Sequence, residues 1–500
     1  PFMLLNKDIT LSISSAINAF GKTAFGLTFL FKISFPKSIL TTNGWLWATS
    51  CFVKRKCPKK SSRSGIPWDS EFLSQKKVAK FGRYPIALRK FLYKPTRKSL
   101  CRNSNTSMCS RGCRSFFLSI LAMCFHLISL GQDPAFVEKA LELGIYIPYP
   151  TTVLGEGVNF FDFDEDGWDD LTLCQTNGPI VLYRNNAGYY EPHYYFFSGQ
   201  QNVATCWGDL DNNGTNDLIT TSYDGGIHIY RNIDNQIFLD VSNLSNIIQQ
   251  DGQMFAGIAL SDINRDGLLD MGVANYSGIG KNLYLINQGD FQFESWSIDA
   301  GFANVQKHAF QPAFVDLNQD LWPDLYMIND FYEGNEFYWN ESGISYSETD
   351  TTLGLNIDAD AMSNSWNDFD RDGDLDLYVT NRFFGNHFLQ QSTNLHFVEI
   401  ADQVGANVFQ WCWSATWFDA QNDGFSDLLI TQNSTDIISD TSGNYFFLNA
   451  PNGNFTLDNG TYHFPTNGFA SAIGDIDNDG VNDVAMSTRQ GYSFKLYQNT

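Results

Sequence analysis

Trp366-Asn367-Asp368-Phe369-Asp370-Arg371-Asp372-Gly373-Asp374-Leu375-Asp376-Leu377-Tyr378-Val379 sets acids at alternate positions, then a glycine, then an acid where an apolar run begins. The same pattern, Asp-x-[Asp/Asn]-x-[Asp/Asn]-Gly-x-x-Asp, recurs along the chain. Its first acids are Asp162, Asp209, Asp262, Asp316, Asp368, Asp419 and Asp475, separated by 47, 53, 54, 52, 51 and 56 residues. One acidic turn says little; seven at a near-constant period specify a repeat architecture.

Working outward, each copy has a short apolar run before it, such as Ser471-Ala472-Ile473-Gly474, and another after it, such as Leu218-Ile219-Thr220-Thr221. A third run follows a Gly/Asn turn (Ile227-His228-Ile229-Tyr230-Arg231-Asn232), then a fourth (Gln236-Ile237-Phe238-Leu239-Asp240-Val241). Four short strands bounded by turn signals form one antiparallel sheet. A single small sheet cannot bury both faces, whereas seven set radially can, and the ring protects most edges. The fold expected for 132–500 is therefore all-β, a seven-bladed β-propeller with four-stranded antiparallel blades. The seventh repeat lacks a fourth strand before Thr500, while Phe136–Ile145 resembles a fourth-strand region ahead of the first repeat. Residues near Phe136 are expected to pair antiparallel with Ser493–Gln498 and close the ring; a helix over Phe136–Leu143 is the competing reading.

The loop chemistry is that of a hard cation. Calcium takes six to eight oxygens at roughly 2.3–2.6 Å, and acids at positions one, three, five and nine can converge as the chain coils. Glycine at position six permits a sharp turn with positive φ. The candidate ligands are Asp162, Asp164, Asp166 and Asp170 in loop one; Asp209, Asp211, Asn213 and Asp217 in loop two; Asp262, Asn264, Asp266 and Asp270 in loop three. They continue with Asp368, Asp370, Asp372 and Asp376 in loop five; Asp419, Asp423 and Asp427 in loop six; and Asp475, Asp477, Asp479 and Asp483 in loop seven. Five to six calcium ions are expected. Loop four (Asp316, Asn318, Asp320, Asp324) has Leu321 at the glycine position and Pro323 near its exit, and is expected to keep the turn without the ion. The plain alternative is that these are polar turns, since Asp, Asn and Gly suit turns anyway.

The net charge of −23 divides unevenly: residues 1–131 carry +19 and residues 132–500 carry −42. An acidic body of that size repels nucleic acid and anionic lipid, so neither is an expected partner. Met108 opens a segment laid out like a signal peptide: Arg111 and Arg114, the mostly apolar Phe116–Leu130, then Ser129-Leu130-Gly131 before Gln132. Residues 108–131 are accordingly read as a signal peptide, and 1–107 as a non-globular segment upstream of the native start. No transmembrane helix is expected in the mature domain. Three cysteines in the acidic part, Cys174, Cys206 and Cys412, do not make a disulfide framework and read as buried thiols.

Phe161-Asp162-Phe163-Asp164-Glu165-Asp166-Gly167-Trp168-Asp169-Asp170-Leu171, the loop-five stretch above and the recurring Leu182-Tyr183-Arg184-Asn185 and Leu496-Tyr497-Gln498-Asn499 resemble the FG-GAP/VCBS repeat family, as in the integrin α-subunit propeller and cartilage-acidic-protein-like secreted proteins. The resemblance covers most of 136–500. It implies calcium in the loops and a secreted or cell-surface scaffold that binds an extracellular protein or glycan, without catalysis. Trp207, Trp366, Trp411, Trp413 and Trp417 precede acidic loops, where they would line one face or the central channel, or pack between blades. The rival function is a polysaccharide lyase or hydrolase. Against it, His193, His228, His308, His387, His396 and His463 sit in no metal spacing and join no nucleophile motif. Asn-x-Ser/Thr sequons start at Asn243, Asn275, Asn340, Asn433, Asn454 and Asn459.

Overall fold

The computed structural model describes residues 29–32, 45–48, 136–147, 157–175, 178–197, 201–224, 226–249, 251–296, 301–302, 306–348, 351–392, 394–432, 443–458, 464–488 and 493–500. The chain divides into two units, Pro1–His126 and Leu127–Thr500. In the first, strands Phe29–Lys32 and Trp45–Ala48 pair antiparallel. The signal-like segment 108–131 and the rest of 1–107 lie outside the described residues, as do His463 and the sequons at Asn433 and Asn459.

The second unit is a propeller of seven four-stranded antiparallel sheets. Blade two shows the plan, with Asn202–Gly208, Asp217–Ser222, Gly226–Ile233 and Ile237–Asp240 paired in sequence order. The first strands of the other blades are Val158–Phe160, Phe255–Ser261, Ala309–Val315, Asn364–Asn367, Cys412–Phe418 and Gly468–Gly474. First strands of adjacent blades bond side by side at the centre: the Asn364 amide donates to Gln311 Oε1 at 2.9 Å, and the Ser414 and Thr416 hydroxyls meet Ser471 at 3.0 and 2.7 Å.

Burial follows position in the blade. Every residue of the second strands Asp217–Ser222, Asp270–Asn275, Asp324–Asn329, Asp427–Gln432 and Asp483–Thr488 is buried, because neighbouring blades cover both faces. The outer strands Ile237–Asp240 and His396–Glu399 bury one residue each, Phe238 and Phe397, and expose the rest. Aromatic residues fill the seams between blades. Trp207 stacks on Phe161 at 5.4 Å and donates to Thr172 Oγ1; Trp366 meets Tyr326; Trp417 meets Tyr378, Phe388 and Phe455. Fully burying such side chains contributes about 1.5–3 kcal/mol each. Cys174, Cys206 and Cys412 form no disulfide; Cys174 and Cys412 are buried and Cys206 is half-buried, with burial pushing the Cys206 thiol up to about 11.

The ring closes as the sequence indicated. Phe136–Glu138 pairs antiparallel with Lys495–Asn499, in register Phe136↔Asn499, Val137↔Gln498 and Glu138↔Tyr497, and supplies the fourth strand of blade seven. The helix-favouring residues that follow form only a turn: Leu143 donates to the Lys139 carbonyl, Ile145 to that of Ala140, and Gly144 leaves it with φ of +93°.

Candidate metal centres

Each acidic motif is the loop joining the first strand of its blade to the second, so all seven lie at one end of the propeller. Position one anchors the coil. Asp162 accepts from the Asp166 and Gly167 amides at 3.0 and 2.8 Å, and the equivalents in loops two, three, four, six and seven do the same. Loop five keeps only the bond from Gly373 to Asp368 Oδ2, at 3.2 Å. The backbone enters the left-handed region twice per loop. It does so at position four (Glu165, Asn212, Arg265, Gln319, Arg371, Asn422, Asn478) and at position six, where φ runs from +74° at Leu321 to +100° at Gly373. A Cβ added at Gly373 would meet nothing within 4 Å, so glycine is there for its φ, not for space.

Position nine opens the second strand, or in blade one directly precedes it, and is almost wholly buried in all seven loops, at 0 or 1% exposure. Asp170 accepts from Phe163 N at 3.1 Å and from Asn185 N, on the third strand, at 2.7 Å; the other six position-nine acids are held the same way. Burial outweighs these donors. It pushes the carboxyls up to about 8 at Asp170, Asp376 and Asp427 and to about 7 at Asp217, Asp270, Asp324 and Asp483.

Positions one, three and nine converge in four loops. Asp162, Asp164 and Asp170; Asp209, Asp211 and Asp217; Asp368, Asp370 and Asp376; and Asp475, Asp477 and Asp483 each bring three carboxylate oxygens within 4.8 Å of one another. Like charges at that range repel by on the order of 3 kcal/mol per pair in a protein-like dielectric. Asp164 Oδ1, Asp211 Oδ1, Asp368 Oδ1 and Asp477 Oδ1 are also buried without a hydrogen-bond partner. Clustered carboxylates with orphaned oxygens fit a hard cation. Position five turns to the backbone instead. Asp166, Asn213, Asp372 and Asp479 accept from the amide two residues on, at 3.0, 2.7, 3.0 and 2.8 Å. Loops three, four and six carry an amide at position three (Asn264, Asn318, Gln421), so Asp262, Asp266 and Asp270, and Asp419, Asp423 and Asp427, form no three-carboxylate cluster of this kind among the described residues.

The recurring asparagine that ends the third strand has a purpose that its repetition along the sequence does not disclose. It reaches back to the preceding blade's loop and donates from Nδ2 to the position-two carbonyl there. The pairs are Asn185 to Ile476, Asn232 to Phe163, Asn287 to Leu210, Asn340 to Ile263, Asn449 to Phe369 and Asn499 to Ala420, at 2.8–3.5 Å. These bonds run around the ring and cross the closure seam.

Four stretches of the chain, 162–220, 209–273, 262–327 and 316–379, match the FG-GAP-like repeat. Each runs from one acidic loop into the next blade, and the position-one and position-nine bonds continue through loops six and seven. Residues 162–379 are FG-GAP-like repeats within a seven-bladed β-propeller. Among solved structures it is similar to BBS1N in complex with ARL6DN, with 12% identity, 71% of this chain and 93% of that chain covered and a TM-score of 0.46. It is also similar to an Agrocybe aegerita lectin that recognises non-reducing terminal N-acetylglucosamine (15%, 68% and 93%, TM-score 0.43) and to Saccharomyces cerevisiae Sqt1 (10%, 68% and 83%, TM-score 0.45). Similarity at this level speaks to neither ligand nor activity. No curated protein sequence matches the chain.

The opposite end of the propeller, formed by second-to-third-strand turns and inter-blade links, is aromatic. Tyr276 contacts Tyr223, His308, Phe310 and Phe331, and its hydroxyl donates to Asp330 Oδ2 at 2.8 Å. The Arg382 guanidinium lies 4.1 Å over Trp411 and 5.2 Å over Phe383, and Trp411 stacks on the buried Trp413. Of the five tryptophans singled out, Trp411 and Trp413 thus belong to this end, while Trp207, Trp366 and Trp417 pack between blades. Phe331, Tyr332, Phe383, Phe384 and Phe409 are 40–76% exposed. Asn275 and Asn340 are buried and hydrogen-bonded, which leaves their sequons no room for a glycan. Among the described residues no helix is long and apolar enough to cross a membrane.

Proposed function

We propose that this protein is a secreted or cell-surface, calcium-binding propeller that presents a protein- or carbohydrate-binding face and performs no catalysis. The observation that carries the binding reading is the exposed aromatic group Phe331, Tyr332, Phe383, Phe384 and Phe409 at the end away from the acidic loops. Aromatic side chains exposed together stack on sugars and anchor protein interfaces, and contiguous apolar exposure marks interaction sites. Calcium in the four clusters fixes the loop end, so ligand recognition and metal binding occupy opposite ends. The signal-like segment at 108–131 supports export. Binding of the full chain to glycan and extracellular-protein arrays in calcium tests the reading. Phe384→Ala is expected to abolish any hit while leaving calcium binding intact; hits that survive Phe383→Ala and Phe384→Ala together would contradict the assigned face.

One constellation favours the lyase or hydrolase reading: His308 Nδ1 lies 3.0 Å from Glu333, beside Tyr276 and Asp330. Burial and the Asp330 carboxylate push Tyr276 above its ordinary range, the wrong direction for a phenolate base. Cleavage of an acidic glycan that is lost in Tyr276→Phe would nevertheless establish the enzyme.

A further inference from the structure

The seven loops fall into two classes, and the division extends to the third strand. Where position three is a carboxylate, the third-strand residue just before the buried amide residue is a donor: Arg184, Arg231, Gln390 and Gln498. Where position three is Asn264, Asn318 or Gln421, that residue is Ile286, Trp339 or Leu448. The donors are engaged. Arg184 Nη2 lies 2.6 Å from Asp164 Oδ2 and 3.2 Å from Asp166, and Arg231 Nη2 lies 2.6 Å from Asp211 Oδ2. Gln390 Nε2 donates to Asp370 at 2.7 Å, and Gln498 Nε2 to Asp477 at 2.7 Å.

Two of the amide loops satisfy themselves: Asn264 and Asn318 donate to Asp266 and Asp320 at 3.0 Å. The carboxylate loops do not. With Oδ2 held by the third strand, Asp164 Oδ1, Asp211 Oδ1 and Asp477 Oδ1 stay buried and unpartnered, and the Asp164 and Asp211 side chains are only 7% and 8% exposed.

We infer that the third-strand donor grades the affinity of the four cation sites: Arg184 and Arg231 make loops one and two weak sites, and Gln390 and Gln498 leave loops five and seven as tight ones. This rests on the cation reading of the clusters. Both kinds of donor orient the position-three carboxylate, but a guanidinium adds a permanent positive charge and an amide adds none. Over positions one, three, five and nine, loop one sets four carboxylates against one guanidinium, and loop two sets three against one. Loops five and seven keep four uncompensated carboxylates each. Calcium affinity in oxygen sites follows the count of ligand charge. The Arg184 and Arg231 side chains are 39% and 40% exposed, so solvent screens part of the effect, and about tenfold per site is expected. The propeller then takes up calcium in two stages, filling blades five and seven before blades one and two.

Calcium titration calorimetry on the chelator-stripped full chain tests this. The wild type is expected to show two tight and two weaker sites. In the double variant Arg184→Gln/Arg231→Gln the weaker pair tightens about tenfold at low salt; loop one joins the class of loops five and seven, and loop two, with one carboxylate fewer, stays below it. The reciprocal Gln498→Arg moves one tight site into the weak class, which keeps the test decisive if the double variant does not fold. Four equivalent wild-type sites, an unchanged weak pair in the double variant or two intact tight sites in Gln498→Arg would overturn the grading while leaving the cation reading standing. A wild type that binds no calcium would overturn both.

Discussion

Asn287 holds four groups at once. Its amide donates to Asp270, its Nδ2 donates to the Leu210 and Leu269 carbonyls, and its Oδ1 accepts from Gly289 N. Asn287→Ala leaves three buried or half-buried backbone groups unpartnered, and is expected to cost about 2–3 kcal/mol by chemical denaturation. The position-nine acids give a pH prediction of opposite sense to the usual carboxylate case. Their folded pKa values, about 7 to 8, lie above the unfolded value near 3.9. Between those limits the folded state binds more protons than the unfolded one, so the stability of the metal-free protein falls as pH rises from 4 to 8. Urea midpoints in metal-free buffer are therefore expected to be higher at pH 5.5 than at pH 8. Saturating calcium, which holds Asp170, Asp217, Asp376 and Asp483 ionised, should weaken that trend and leave the part due to Asp270, Asp324 and Asp427. The acids were legible in the sequence because positions one, three and nine fall within one short loop, although the amide of Asn185 that also holds Asp170 lies 15 residues on. The third-strand asparagines were visible as a repeat but not as a device, because the carbonyl that Asn287 reaches is 77 residues away.

At the scale of the element, loop four shows what the turn needs and what the ion needs. Asp316 still accepts from the Asp320 and Leu321 amides, so the coil forms without glycine, with Leu321 at φ of +74° and largely exposed. A non-glycine residue there bears about 1–2 kcal/mol of strain, offset in part by the backbone entropy glycine would lose. Leu321→Gly is accordingly expected to stabilise by about 1 kcal/mol, read as a higher denaturant midpoint at unchanged slope. The motif spacing placed all seven loops and their positive-φ position six. It gave only a partial sign of the second left-handed residue at position four, where Asn212, Asn422 and Asn478 suit that region but Glu165, Arg265, Gln319 and Arg371 do not flag it. It also names Asp262, Asn264, Asp266 and Asp270 in loop three and Asp419, Asp423 and Asp427 in loop six as ligands, because acids at positions one, five and nine read alike along a line. Only the coil shows position five turned to the backbone and position three deciding whether three carboxylates meet.

For the whole molecule, seven blades and the exchange of an N-terminal strand into the last blade followed from counting strands, since a propeller short of one strand leaves an open edge. Phe136 packs against Phe418, Phe446 and Phe464 with ring centroids 5.0–6.2 Å apart. Phe136→Ala is expected to loosen this seam by about 2 kcal/mol, since the side chain is only half buried. The loss should appear as faster hydrogen exchange in Lys495–Asn499 than in the second strands. The aromatic end was less legible: its residues come from turns and links of several blades, and only the ring brings Tyr276, Arg382 and Trp411 to one surface. The central claim, that the acidic clusters are cation sites built into the fold, is tested most directly by the melting temperature of the full chain with and without calcium. An ion held a thousandfold above its Kd adds about 4 kcal/mol per site, so calcium is expected to raise the melting temperature of the stripped protein, and by less in Asp370→Asn. An identical melting temperature in the stripped and calcium-saturated protein would contradict the account.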